Sequence, residues 1–203
     1  MLDTILEFDR NISFIINGAH TPFWDSVMLF FSAKAVWIPL YIAIAAAMFF
    51  PKWYGKPQIK GWIAAIIGIA ACIIAFGLTE QICNILKILT ERLRPGHDPL
   101  TAPMMWLPSG KGGLYSFPSA HAANSMCIAV LTSLIFKRRW YTCTILLWSV
   151  TMGFSRIYLA RHFFTDVICG LLLGAIIGAG IYLLWNKLWS IYLNKHPKTC
   201  SVS

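Results

Sequence analysis

The sequence predicts an all-α fold: a polytopic membrane helical bundle of five transmembrane helices, preceded by an N-terminal interfacial helix that could instead be a sixth element. Three observations lead there. The 203 residues are 58% hydrophobic and only 12% charged, about half the charged fraction of a soluble domain. Stretches free of charge recur along the chain, and the excess basic residues gather at their ends. A chain of this size has room for one integral-membrane domain, residues 1–203.

The elements follow in order. Residues 1–20 set Leu2, Ile5, Leu6, Phe8, Ile12 and Ile15 among Asp3, Glu7 and Asp9, the pattern of a helix lying in the membrane interface. This acidic start lacks the basic-then-apolar order of a cleavable signal, so the first span is expected to remain as an anchor. Residues 26–50 are apolar apart from Lys34, and 61–78 are uninterrupted and continue to about residue 93. Residues 120–136, 140–155 and 167–185 complete the five, against a requirement of about 20 residues, with about 17 as a lower limit. The segment 96–116 carries Pro99, Pro103, Pro108, Gly110, Gly112 and Gly113 and reads as an extracytoplasmic loop over the site. Within it, Met104, Met105, Trp106 and Leu107 could dip into the lipid surface. Residues 187–203 read as a cytoplasmic tail.

The net charge of +9 does not describe a nucleic-acid surface. Lys52, Lys56 and Lys60, then Lys137, Arg138 and Arg139, then Lys187, Lys195 and Lys198 hold the entire excess, all at one set of span ends. The positive-inside rule makes that side cytoplasmic, and Trp53, Tyr54, Trp140, Tyr141, Trp185 and Trp189 flank it as an aromatic belt. Arg94, Ser119, His121, Arg156 and His162 then meet on the opposite, extracytoplasmic face. Of the six cysteines, five lie in apolar segments and read as small packed hydrophobes.

Three groups of residues carry chemistry, and each stands where an apolar stretch begins or ends, where ionisable groups are expensive. Glu80, Asn84, Lys87, Glu91 and Arg94 recur at helical intervals on one stripe. Glu80 and Asn84 read as a self-satisfied polar seam, whereas Lys87 and Arg94 stand at the outer end as anion ligands, with Pro95 ending the helix. Pro118-Ser119-Ala120-His121 opens the third span. Pro at the first helical position and Ser116 as a cap would leave first-turn amides and a positive dipole end for phosphate. Ser119 adds a hydroxyl, and His121 could donate a proton. Finally, Arg156 ends the fourth span while His162 and Asp166, four residues apart, open the fifth. A carboxylate on one ring nitrogen leaves the other as a nucleophile. Two histidines and a carboxylate could also bind a metal, but Lys87, Arg94 and Arg156 already supply positive charge, so no metal is expected. His20, His97 and His196 read as surface residues, and Arg161 is left without a role.

The three groups resemble the type-2 phosphatidic acid phosphatase superfamily. Its pattern is Lys, six residues, Arg-Pro; then Pro-Ser-Gly-His; then Ser-Arg, five residues, His, three residues, Asp. Lys87, Arg94-Pro95, Ser155-Arg156, His162 and Asp166 match, and Ala120 stands where Gly is usual. The resemblance spans roughly residues 22–186 and is nearest the small bacterial members of the phosphatidylglycerophosphatase B type. It implies that His162 attacks phosphorus to give a phosphohistidine, oriented by Asp166. His121 would protonate the leaving oxygen, while Lys87, Arg94, Ser119, the Ala120 amide and Arg156 would bind phosphate oxygens, with no cofactor. The implied function is an integral membrane lipid phosphatase of the bacterial cytoplasmic membrane. Phosphatidylglycerophosphate is the first substrate expected at the outer leaflet, and undecaprenyl pyrophosphate the alternative. Beyond the lipid substrate and the bilayer, no partner is implied, nucleic acid included, and the oligomeric state is left open. A non-catalytic phospholipid binder or a transporter is the competing class. Inverted repeats and midplane ionisable groups would favour a transporter, and apart from Glu80 neither is seen.

Overall fold

The structure, a computed structural model, describes residues 2–50 and 61–195. Seven α-helices account for most of it: α1 (Leu2–Gly18), α2 (Pro22–Ser32), α3 (Ile38–Ala47), α4 (Gly61–Thr90), α5 (Ala120–Phe136), α6 (Arg139–Tyr158) and α7 (Phe164–Lys195). The described residues hold no strand beyond one isolated bridge, Leu93 to Tyr115.

Two segments, Ala65–Thr90 of α4 and Phe164–Lys187 of α7, are long and apolar enough to cross a membrane. The α2–α3 pair adds a third if its two halves, bent by 63° about Lys34–Trp37, count as one broken span. The other two expected spans are less clear. Helix α5 has 17 residues, about 25 Å at 1.5 Å per residue, short of a hydrocarbon core of about 30 Å. Helix α6 has 20 residues, but Thr142, Thr144, Ser149, Thr151 and Ser155 interrupt its apolar character.

Helix α5 can be short and partly polar because it is the centre of the bundle, wrapped by α4, α6 and α7. Its polar groups find partners there: Ser125 Oγ lies 2.9 Å from Ser149 Oγ, and Tyr141 donates to Thr132 at 2.8 Å. The approach of α7 depends on Gly170, Gly174 and Gly178, spaced one per turn. A Cβ at Gly170 would lie 2.6 Å from the Ser119 carbonyl oxygen and one at Gly178 2.5 Å from that of Cys127; at Gly174 it would collide with the Ala123 carbonyl. Such close backbone approach is how membrane helices gain packing where burial from water does not drive association. This stripe also seats the start of α7 against the start of α5.

Helix α1 is amphipathic as expected, with its faces assigned in an informative way. Ile5, Phe8 and Ile15 are exposed, while Asp9, Ser13 and Asn17 are buried against the bundle. Asn17 bonds the Tyr158 carbonyl at 2.7 Å and, through both amide atoms, the backbone of Trp106. So Met105 and Trp106 do not both dip outward. Met105 is buried, whereas Met104 and Trp106 are exposed, Trp106 stacking on His20 with ring centroids 4.8 Å apart.

Two further expectations change. The apolar span of α7 ends at Lys187, where the tail is expected, while the helix itself runs on to Lys195. Helix α4 ends at Thr90, five residues before Pro95, with Glu91 in the left-handed region at φ 45, so Glu91 and Arg94 leave the stripe. Helix α5 begins at Ala120 with Ser119 as its N-cap, so Pro118 precedes the helix and Ser116 does not cap it. The basic residues Lys52, Lys56, Lys60 and Lys198, with Trp53, Tyr54, His196 and Cys200, lie outside the described residues.

Candidate active site

The site is built where the start of α5, the end of α6, the start of α7 and the loop after α4 converge. The turn from α6 to α7 is tight. Ala160 takes φ 50, and the amides of Arg161 and His162 both donate to the Arg156 carbonyl, at 2.9 and 3.1 Å. His162 therefore precedes α7 instead of riding on it. Asp166 sits in the first turn and accepts from the Phe163 amide at 2.8 Å. Its carbonyl accepts from the Ser119 amide at 3.0 Å, which ties the second sequence motif to the third.

His162 and Asp166 are both fully buried, and Nδ1 lies 3.8 Å from Oδ2, beyond a direct hydrogen bond. Ser116 closes the gap. Its hydroxyl donates to Asp166 Oδ2 and stands 3.4 Å from His162 Nδ1. A hydroxyl whose proton is committed to a carboxylate can only accept from the ring, which places the hydrogen on Nδ1 and leaves the Nε2 lone pair free. Burial first, and the charges of Arg156 and Arg94, push the His162 pKa down to about 4 against the opposing pull of Asp166. The ring is neutral near pH 7, as a nucleophile must be.

Cations surround the pair. Arg156 is 6% exposed; one guanidinium nitrogen donates to Ser32 at the α2–α3 break, and its Nε has no partner among the described residues. Ser119 Oγ, fully buried, likewise has none. Such orphans are uncommon in native interiors and call for a ligand or water. Arg94 holds the Tyr115 carbonyl through Nε at 3.0 Å and is drawn down from its ordinary pKa by burial and by Arg161. Arg161 anchors the loop through Ser109, its Nε 2.8 Å from the hydroxyl. Gly112, at φ 75, passes so close to Arg94 and Arg161 that a Cβ there would strike both guanidinium groups. The loop thus lies over the cationic cluster. Lys87, in the last turn of α4, is within electrostatic reach of Arg94 and Lys34. His121, in the first turn of α5, is within reach of Arg156, His162 and Arg94. Ala120 begins the same turn, where helical amides have no intrahelical partner.

Residues 65–190 match the PAP2 superfamily. The chain belongs to that superfamily. PAP2 relatives include a lipid A 4'-phosphatase from Bacteroides thetaiotaomicron, 32% identical over 93% of this chain and 81% of that protein. They also include phosphatidylglycerophosphatase B from Bacillus subtilis, 28% identical over 71% of this chain and 66% of that one. Among solved structures, the transmembrane PAP2-type phosphatidylglycerolphosphate phosphatase from Bacillus subtilis shares the fold. Its TM-score is 0.65 at 24% identity, covering 92% of this chain and 87% of that one. As a PAP2 protein, the chain is a membrane lipid phosphatase.

Sequence reasoning passes over five residues that the PAP2 fold brings to the site. Ser116 was read as a cap. Arg92 donates to Asp166 Oδ1 at 2.7 Å and to Thr165 Oγ1 at 2.8 Å, pairs with Asp9, and lies 4.5 Å over the Phe163 ring. Asp9, fully buried, accepts the Thr165 amide at 2.7 Å, while Ser13 accepts that of Phe164 at 3.1 Å. With Asp166 taking the Phe163 amide, side chains satisfy successive amides at the start of α7, a requirement every buried helix end faces. Lys34 was noted only as a charge within a span. A buried acid on an otherwise interfacial helix was the one available hint for Asp9; the partners of Arg92 are too distant in sequence to show as spacing.

Proposed function

We propose that the protein hydrolyses a lipid phosphate monoester through a phosphohistidine on His162. His162 Nε2 attacks phosphorus, the bond to the lipid oxygen breaks, and His121 gives that oxygen its proton. Water then attacks phosphorus, giving a proton back to His121, and the P–N bond breaks to release His162 and phosphate. Asp166 orients the ring through Ser116 and offsets the charge it gains. Lys87, Arg94, Ser119, the Ala120 amide and Arg156 hold the phosphate oxygens as negative charge spreads over them in the transition state.

One observation supports this most: a neutral, buried histidine stands among cations beside two buried donors, Ser119 Oγ and Arg156 Nε, that no group among the described residues satisfies. A phosphate supplies acceptors for both. The substrate we favour is an acylated amino-sugar phosphate of the lipid A 4'-phosphate kind, because the relative of that name is similar over nearly the whole chain. The Bacillus relative keeps phosphatidylglycerophosphate as the second reading. Catalysis facing the extracytoplasmic side is part of the proposal.

The test is phosphate release by purified protein in detergent from each lipid. Wild type should release phosphate, be inhibited by vanadate, and form an acid-labile, alkali-stable phosphoryl-enzyme. His162→Ala should lose at least about a thousandfold in turnover, given the size of such effects for nucleophilic residues. Full phosphate release by His162→Ala would remove it as the nucleophile.

A further inference from the structure

Beside His121 lies a cavity of about 100 Å³ between α3, α4, α5 and α6. Its polar lining is mixed. Glu80 offers a carboxylate, and its Oε2 holds the Asn124 amide nitrogen. Asn124 is 8% exposed, and its Oδ1 has no donor among the described residues. Ser125 is already engaged with Ser149 and the Ala122 carbonyl. Lys34 is exposed and makes no ion pair among the described residues. It lies within electrostatic reach of both Lys87 and His121, so it belongs to the field that receives the phosphate. Besides Lys34, the His121 ring and the Tyr41 hydroxyl, which line the same cavity, the lining offers two acceptors: one carboxylate and one orphaned amide oxygen.

Tyr41 and Phe76 line this cavity and also line a second, larger space of about 360 Å³. That groove runs between α3 and α4, walled by Ile44, Met48, Ile69 and Ile73. Phosphate cluster, polar cavity and hydrocarbon groove therefore follow one another, with His121 at the first junction.

We propose that Glu80 and Asn124 form a subsite for the leaving group, reading hydroxyl or amide hydrogens next to the phosphorylated carbon. Its acyl chain leaves past Tyr41 and Phe76 into the groove. This rests on the phosphatase reading and narrows it. An acylated amino sugar offers such donors and no second anion within the ring. A polyprenyl diphosphate offers no donor and places a second phosphate against Glu80. A phosphatidylglycerophosphate offers one hydroxyl, then a phosphodiester anion. Sites built to bond a substrate hydrogen reject analogues lacking it, because their own buried acceptors stay unpaired.

The test compares kcat/KM of wild type and Glu80→Gln on three substrates: an acylated glucosamine 4-phosphate, a polyprenyl diphosphate and a short water-soluble phosphate monoester. The acyl sugar should lose at least tenfold relative to the short ester, and the diphosphate should gain on the acyl sugar by at least that factor. Equal losses on all three would show Glu80 to be structural and overturn the subsite, as would no change. Tyr41→Trp, which narrows the passage, tests the same path independently. It should penalise long-chain over short-chain substrates by at least tenfold, and an unchanged ratio would count against the path. If wild type hydrolyses none of the three, the phosphatase reading itself fails and the subsite falls with it.

Discussion

At the scale of single residues, the site turns on how one imidazole is kept neutral and aimed. Burial of His162 among Arg156 and Arg94 disfavours its cationic form, and Asp166 opposes this only in part. The sign follows directly. With a pKa near 4 in place of the ordinary 6.5, the ring is unprotonated and competent above about pH 4 and is lost as nucleophile below it. The acid limb of kcat/KM, which reports the free enzyme, should fall near pH 4. A limb near 6.5, measured on a soluble monoester in detergent, would contradict this environment. His162, Asp166, Arg156 and the Ser119–His121 turn were legible because short spacings place them together. Ser116 was not, since it meets Asp166 across fifty positions and only folding creates that contact.

At the scale of elements, α1 is more than an interfacial helix. Its apolar side faces out and its polar stripe, Asp9, Ser13 and Asn17, clamps the start of α7 and the covering loop. Asp9 reaches the Asp166 carboxylate through Arg92, with Thr165 bonded to Asp9 and to Arg92. Under the proposed mechanism Asp9 is a positioning residue. Asp9→Asn should reduce kcat about tenfold, leave KM near wild type and lower the melting temperature in detergent. Removing one partner of a buried charged network leaves the other uncompensated. A raised KM with intact kcat would instead place Asp9 in substrate binding. The amphipathic pattern announced α1 as a helix. It could not say which face would meet protein, because in a membrane protein the apolar face has lipid as an equal alternative.

At the scale of the whole molecule, the bundle delivers residues from α1, α4, α5, α6 and α7 to one end, and the loop between α4 and α5 closes over it. The proposed orientation sets this end outside the cell, on the expectation that basic residues stay inside. Cysteine replacing Lys111, on the exposed loop, should react with impermeant thiol reagents in intact cells, whereas cysteine replacing Arg139 should not, both read over the native cysteine background. The reverse pattern would place catalysis in the cytoplasm. By length and composition, two or three of the five expected spans are clear among the described residues, and α5 and α6 are not confirmed. Hydropathy counts apolar length, and a central helix such as α5, wrapped by neighbours, can be shorter and more polar than one facing lipid.

The sequence by itself determined the helical class, the PAP2 motifs and the candidate residues for the proposed chemistry, since these are written in local periodicity and short spacings. Tertiary structure alone decided that Ser116 and Arg92 brace Asp166, that Asp9 anchors α7, and that Glu80 and Asn124 share a cavity with His121. The physical reason is one of range. Helical spacing reports neighbours a turn away, while a buried polar group takes whichever partner the packing of distant helices brings within hydrogen-bond reach.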